Sequence, residues 1–290
     1  MAYASFQPGS IPPPRGQSAR LAATARETGA RIDAVGVGRR FATAKGAVDA
    51  CVDVDLAVDP GSFCVIVGPS GCGKSTFLRM VAGLDRPTSG TLSVTRPDGR
   101  NPTNAMVFHG RTLFPWLTLR QNVAYGLKLS GVSRGERRER ADDLLDMVGL
   151  GEFRGAWPHQ VSEGMRQRVS IARALAVDPD LLLMDEPFGA LDEQTRFLLQ
   201  EELLRIWERT GKTVLFVTHS IDEALILADK IVVMSSHPGT IRDVIDVPFA
   251  RPRFLTDVRS DPVFADLFTT TWSILREEVE AGGAFSAGTA

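Results

Sequence analysis

The chain has 290 residues, with 33 Lys and Arg against 35 Asp and Glu for a net charge of −2, and 43% hydrophobic against 23% charged residues. That balance is ordinary for a globular protein, leaves length enough for a substantial core, and argues against nucleic acid as an obligate ligand. No apolar run approaches the eighteen or so residues of a membrane span, and the three cysteines Cys51, Cys64 and Cys72 are too few and wrongly spaced for a disulfide framework or a zinc site.

The N-terminus has no apolar stretch of signal-peptide length, so the chain is expected to stay in the cytosol. Residues 1 to about 30 are rich in Ala, Pro, Gly, Ser and Arg around Pro12-Pro13-Pro14 and read as a disordered tail. Six arginines against Glu27 and Asp33 over residues 1–40 would also suit an anionic membrane surface, although a solvated tail is the weightier reading. From Arg31 to Val58 the pattern is strand-like, with Val52, Val54, Leu56 and Val58 alternating against Asp53, Asp55 and Ala57. This predicts an antiparallel layer.

Next comes the apolar run Phe63-Cys64-Val65-Ile66-Val67, then Gly68-Pro69-Ser70-Gly71-Cys72-Gly73-Lys74-Ser75-Thr76, then Phe77-Leu78-Arg79-Met80-Val81-Ala82. The middle segment fits G-x-x-x-x-G-K-[ST] in the order strand, loop, helix, which makes it a phosphate-binding loop. Glycines let backbone N–H groups turn inward around phosphate oxygens, and the helix N-terminus adds partial positive charge. Lys74 is placed to reach the β- and γ-phosphates, and Ser75 to set its hydroxyl on Mg²⁺. The expected ligand is a nucleoside triphosphate.

Short strands are predicted at Gly90–Val94 and Ala105–Phe108. Residues 117–178 then turn helical, with a charged segment around Arg134–Asp143 and a periodic helix through Val169–Val177. Strand patterns resume at Leu181–Asp185, Thr213–Thr218 and Lys230–Met234, separated by helices at about 192–210 and 220–229. Strand–helix alternation calls for a parallel sheet covered on both faces, so the fold class is α/β with a helical block inserted. After Arg251-Pro252-Arg253, residues Val263, Phe264, Leu267, Phe268, Thr271, Ile274, Leu275 and Glu278 follow a helical period whose apolar face should pack on the core.

Leu181-Leu182-Leu183-Met184-Asp185-Glu186 is an apolar strand ending in two acids. Such a strand delivers Asp185 beside the nucleotide to hold the Mg²⁺ shell, and puts Glu186 opposite an attacking water as general base.

With these residues in hand, the chain resembles the ATP-binding cassette family over roughly residues 31–250. The segments that carry the resemblance are the loop at 68–76, Phe108-His109 with Thr112-Leu113-Phe114-Pro115-Trp116-Leu117-Thr118, and Pro158-His159-Gln160-Val161-Ser162-Glu163-Gly164-Met165-Arg166-Gln167-Arg168. Asp185-Glu186-Pro187, Gly189-Ala190-Leu191-Asp192 and Thr218-His219 follow in the family's order. The resemblance implies a P-loop NTPase with a RecA-like parallel-sheet core, an antiparallel β layer and an inserted helical subdomain at about 110–178. It places the ATPase domain at 31–250 and a C-terminal helical extension at 251–290. It further implies that two copies close head to tail around two ATP molecules, with Ser162 and the Gly164 backbone reaching the γ-phosphate held by the other copy. Asp192 resembles the loop aspartate joining the halves, and His219 the switch histidine. Phe41 is the candidate for stacking on adenine, with a core phenylalanine as the competing reading.

Thr112–Leu117, Met184–Asp192, Pro238-Gly239-Thr240-Ile241 and Asp246-Val247-Pro248 look like the nitrate/sulfonate/taurine importer branch. That implies membrane-spanning permease subunits and a separate solute-binding protein as partners, no nucleic acid, and a peripheral place on the cytoplasmic face of the membrane. Leu113, Phe114 and Trp116 would receive the permease or simply pack the helical block. Two residues depart from the family pattern: His109 stands where the family has a glutamine near Mg²⁺, and Glu163 where the signature has glycine. Alternatives kept open are a non-transport cassette, a weakly active or regulatory cassette because of these two residues, and a small-molecule phosphotransferase.

Overall fold

The computed structural model describes residues 29–286 apart from Lys45, His109, Arg111 and Ala190. The expected tail therefore lies almost wholly outside the described residues, as does His109. A three-stranded antiparallel sheet has the order β2-β1-β4, with β1 at Arg31–Thr43, β2 at Gly46–Val58 and β4 at Ser89–Thr95. The expected alternation holds at Val54, Leu56 and Val58 but not at Val52, which is exposed while Cys51 is buried. The cause is a bulge: Val37 pairs with Val54 but Arg39 with Cys51, so β2 carries one extra residue, and Asp53 adopts a left-handed φ of 51° there.

The second sheet has the order β5-β6-β7-β3-β8-β9, from Asn104–Val107, Leu181–Asp185, Thr213–Val217, Phe63–Val67, Lys230–Met234 and Ile241–Asp246. Its strands run parallel except β9, which pairs antiparallel with β8. Every residue of β3, β6 and β7 is buried, which is why these strands read as unbroken apolar runs. Phe63, Val65, Val67, Leu182, Met184 and Phe216 face one core with α6 (Glu193–Thr210), α7 (Ile221–Leu227), α8 (Leu255–Ser260) and α9 (Pro262–Ser286). Cys64, Ile66, Leu181, Leu183 and Leu215 face the other, with α1 (Lys74–Val81) and the antiparallel sheet. Period-two side chains on one sheet thus serve two layers.

The helical block is α2 (Leu119–Val123), α3 (Tyr125–Leu129), α4 (Arg134–Met147) and α5 (Glu163–Ala176), closed on its own cluster of Leu119, Val123, Leu127, Leu145, Leu150 and Val169. Thr118 and Gln121 form a capping box at α2. Helix α5 begins at the signature segment, as the resemblance implies and ahead of the periodic stretch at Val169, with Ser162 capping it by accepting from the Met165 N–H at 3.3 Å. On α9, Leu275 is buried, Phe264, Leu267, Phe268 and Ile274 pack on the core, and Glu278 accepts from the Ser236 N–H at 2.9 Å. The expected C-terminal helix therefore packs on the core.

Candidate functional site

Strand β3 lies centrally, between β7 and β8, and the loop at its carboxyl end runs into α1. A crevice outside the carboxyl ends of parallel strands, at a reversal of strand order, is where α/β sheets bind ligands. Gly71 and Gly73 have φ of 79° and 100°, a backbone closed to ordinary side chains. The loop is braced from outside: a Cβ on Gly73 would strike the Ala50 carbonyl, and one on Gly68 would sit 2.9 Å from the Met234 carbonyl oxygen. Lys74 is the first residue of α1 and is buried, its Nζ donating to the carbonyls of Gly68 and Pro69 at 2.7 Å each. The cation is therefore folded over the loop whose N–H groups would receive phosphate. Cys72 is buried beneath it, and burial pushes its thiol up. Pro69 and Ser70 complete the turn, and Thr76 lies in the first turn of α1.

The neighbouring strands deliver the remaining chemistry. Ser75 Oγ donates to Asp185 Oδ1 at 2.8 Å, with Asp185 buried at the end of β6. One hydroxyl and one carboxylate converge there, and no cluster of three or more His, Cys, Asp or Glu occurs among the described residues. A few hard oxygen donors, with phosphates and water filling the other positions, are what Mg²⁺ takes from a protein, so these residues fit that ion. Glu186 follows with φ 46°, rare for a non-glycine residue, its N–H held by the Val217 carbonyl at 2.9 Å. That turn aims its carboxylate across to β7, where Oε2 lies 3.3 Å from His219 Nδ1.

Several supporting residues carried no assigned role in the sequence reading. Gln167 Nε2 reaches the Glu186 carbonyl at 3.5 Å, a long contact that links α5 to the strand end. Thr218 donates to buried Glu223 at 2.6 Å and accepts from the Ser220 N–H at 3.1 Å, fixing the turn around His219. Burial raises the Glu223 carboxyl above its usual range. For Glu223 the available signal was an acid within the largely apolar Ile221–Leu227 helix; Gln167, flanked by Arg166 and Arg168, gave none.

Ser162 and Gly164 make no hydrogen bond to the phosphate loop; a Cβ on Gly164 would lie 3.0 Å from Leu191 Cδ2, so α5 abuts the loop ahead of Asp192. Ala190 in that loop lies outside the described residues. Asp192 caps α6 by accepting from the Thr195 N–H at 2.9 Å, which holds its carboxyl below the usual range. Glu163 pairs with Arg166 at 2.6 Å, and Arg166 also donates to the carbonyls of Pro158 and Val161 at 3.0 Å each. Phe41 is half-buried with the Arg39 guanidinium 4.5 Å from its ring centroid. It pairs with Val48, two residues before the Ala50 that touches the loop. In the 113–117 stretch Leu113 packs on the helical cluster and Phe114 stacks on Tyr125 at 4.7 Å, whereas Trp116 is 68% exposed.

Topology and donor chemistry agree on a class: a P-loop module built to bind and hydrolyse a nucleoside triphosphate. A family model described as ABC transporter matches residues 51–189. The nitrate import ATP-binding protein NrtD of Synechococcus elongatus is 45% identical over 247 residues, covering 82% of this chain and 89% of that protein. The taurine import ATP-binding protein TauB of Rhizobium johnstonii is 46% identical over 238 residues, covering 79% and 86%. A dimeric ATP-binding cassette solved in a post-hydrolysis state with ADP and Pi matches with a TM-score of 0.68 and 32% identity, over 76% of this chain and 100% of that one. The chain belongs to the ABC transporter family. It is an ATPase of that family, acting on ATP with Mg²⁺.

Proposed function

We propose that this chain energises an importer for a small solute of the nitrate, sulfonate or taurine kind, as a peripheral subunit on the cytoplasmic face of a membrane-spanning permease supplied by a separate solute-binding protein. The observation that carries the catalytic part is the meeting of Ser75 with Asp185 at 2.8 Å and of Glu186 with His219 at 3.3 Å on adjacent strand ends. The import part rests on likeness to proteins named for nitrate and taurine import.

In this reading Ser75 and Asp185 would hold Mg²⁺, which when bound would supply charge neutralisation to the phosphates. Lys74 exchanges its loop carbonyls for phosphate oxygens, and the N–H groups of the Gly68–Thr76 loop cradle the rest. Glu186 takes the proton of the attacking water as its oxygen bonds to the γ-phosphorus and ADP leaves. His219 fixes the Glu186 carboxylate and reaches the γ-phosphate. Phe41 stacks on adenine, and Ser162 with Gly164 closes the site on a second copy. Arg166 draws the Glu163 carboxylate aside, so a signature carrying an acid remains compatible with phosphate. His109, outside the described residues, is assigned to the Mg²⁺ shell by its position after Phe108. Residues of about 110–178 act as the helical subdomain and present Trp116 to the permease, with 251–290 as the extension.

Reconstitution with a membrane-spanning permease of the importer branch tests the reading. Solute with its binding protein should stimulate ATP hydrolysis, and Trp116→Ala should abolish the stimulation while leaving the isolated chain's hydrolysis intact. Hydrolysis indifferent to the permease, or phosphate passed to an acceptor other than water, would contradict it.

A further inference from the structure

A cavity of about 520 Å³ opens between α6, α7, α8 and the start of α9. None of its lining residues belongs to the phosphate loop or to Asp185-Glu186. Its size is that of small-molecule sites. Gln200 lines it, 3% exposed as a residue, with a side-chain amide that bonds to no other described residue and opens onto the cavity. Such an amide is available to a ligand as both donor and acceptor.

Charged side chains of both signs line the same cavity. Arg196 donates through Nη2 to the Leu191 carbonyl at 3.0 Å, but its Nε is buried without a hydrogen-bond partner, 3.7 Å from Glu223 Oε1. Arg259 forms no ion pair among the described residues and lies over the Phe197 ring at 5.7 Å. Asp222 likewise has no cationic partner among them. Phe197 and Phe264 give the cavity two aromatic walls.

We propose that this cavity binds a free zwitterionic amino acid with an apolar side chain. Its carboxylate sits on Arg259 and the open Arg196 Nε, its ammonium on Asp222 and Glu223, and its side chain between Phe197 and Phe264. Gln200 donates to the carboxylate and accepts from the ammonium. A ligand carrying only one charge forgoes the contacts at one end of the cavity, which is the source of selectivity. Occupancy is transmitted to the ATPase site by two contacts: Arg196 holds the Leu191 carbonyl beside Asp192, and Glu223 holds Thr218 beside His219. A ligand that draws on Arg196 and Glu223 shifts both loops together.

The probe is L-phenylalanine titrated into the full chain by calorimetry, with 3-phenylpropanoate and 2-phenylethylamine as the two half-charged controls. Saturable binding with one site per chain is expected, at least about tenfold weaker for either control and for Arg259→Gln or Gln200→Leu. The variants should bind Mg-ATP as the parent does, and the His219 ring resonances should shift on adding the amino acid. Another apolar amino acid binding in its place with the same sensitivity supports the class. Failure of every L-amino acid to bind, equal binding of a half-charged control, or binding unchanged in Arg259→Gln overturns the proposal. Arg259 is exposed, so that variant decides alone if Gln200→Leu does not fold.

Discussion

Arg166 and Glu163 face each other, yet replacing each by glutamine should have unequal consequences. Their ion pair is 2.6 Å long with the side chains 20% and 31% exposed, so it is a screened pair of about 0.5 kcal/mol. Glu163 gains a further ~0.5 kcal/mol from the N-terminus of α5. Glu163→Gln should therefore cost about 0.5–1 kcal/mol. Arg166→Gln loses the same pair together with two donors to the Pro158 and Val161 carbonyls at 3.0 Å. At about 1 kcal/mol each, these bring its cost to about 2–3 kcal/mol. Urea unfolding of both single variants and the double variant gives the two costs and a coupling of about 0.5 kcal/mol. Because Arg166 holds the chain that leads into Ser162, Arg166→Gln should also weaken ATP-driven pairing in a Glu186→Gln background, while Glu163→Gln should leave it nearly unchanged. Equal costs within about 0.3 kcal/mol would refute this account of the signature loop. So would undiminished pairing by Arg166→Gln.

Asn122 is fully buried, accepts from the Phe114 N–H at 2.8 Å, and donates to the carbonyls of Phe114, Leu117 and Thr118 at 3.2, 3.1 and 3.1 Å. Asn122→Ala should lower stability by about 2–4 kcal/mol and alter Trp116 fluorescence. Gly73→Ala combines a left-handed backbone with a collision against Ala50, and should cost about 2–5 kcal/mol and abolish nucleotide binding, read by unfolding and by titration with Mg-ATP. Because burial raises the Cys72 thiol, its thiolate fraction at a given pH is below that of a free cysteine. Iodoacetamide should label native protein slowly even without ATP, and unfolded protein quickly; equal rates would contradict the buried placement. Cys64, pushed up to about 12, should label more slowly still.

The parts legible in the sequence were those set by strong local patterns. Strands Leu181–Asp185 and Lys230–Met234 emerged at the expected bounds because they are uninterrupted apolar runs buried on both faces. Strand β9 was not anticipated, since an edge strand carrying Arg242, Asp243 and Asp246 has no such run. Periodicity showed α5 only from Val169; its opening at the signature segment followed from the resemblance, because a polar first turn signals by capping rather than by period. Short α8 likewise lacks the length that makes a period visible. For the site, residue types and order indicated which groups to expect, but not their approach. The left-handed turn at Glu186 depends on β7 beside it, and the inversion at Val52 on a bulge opposite Val37. The Glu163–Arg166 pair was within reach of the i,i+3 rule.

The central claim is that Glu186 drives hydrolysis in a site completed by a second copy. Glu186→Gln should be compared with the parent for turnover and for molecular mass in saturating Mg-ATP. Turnover should fall by about 100-fold or more, and a two-copy species retaining unhydrolysed ATP should accumulate. Parental turnover in the variant, or a single-copy mass with ATP bound, would contradict the account.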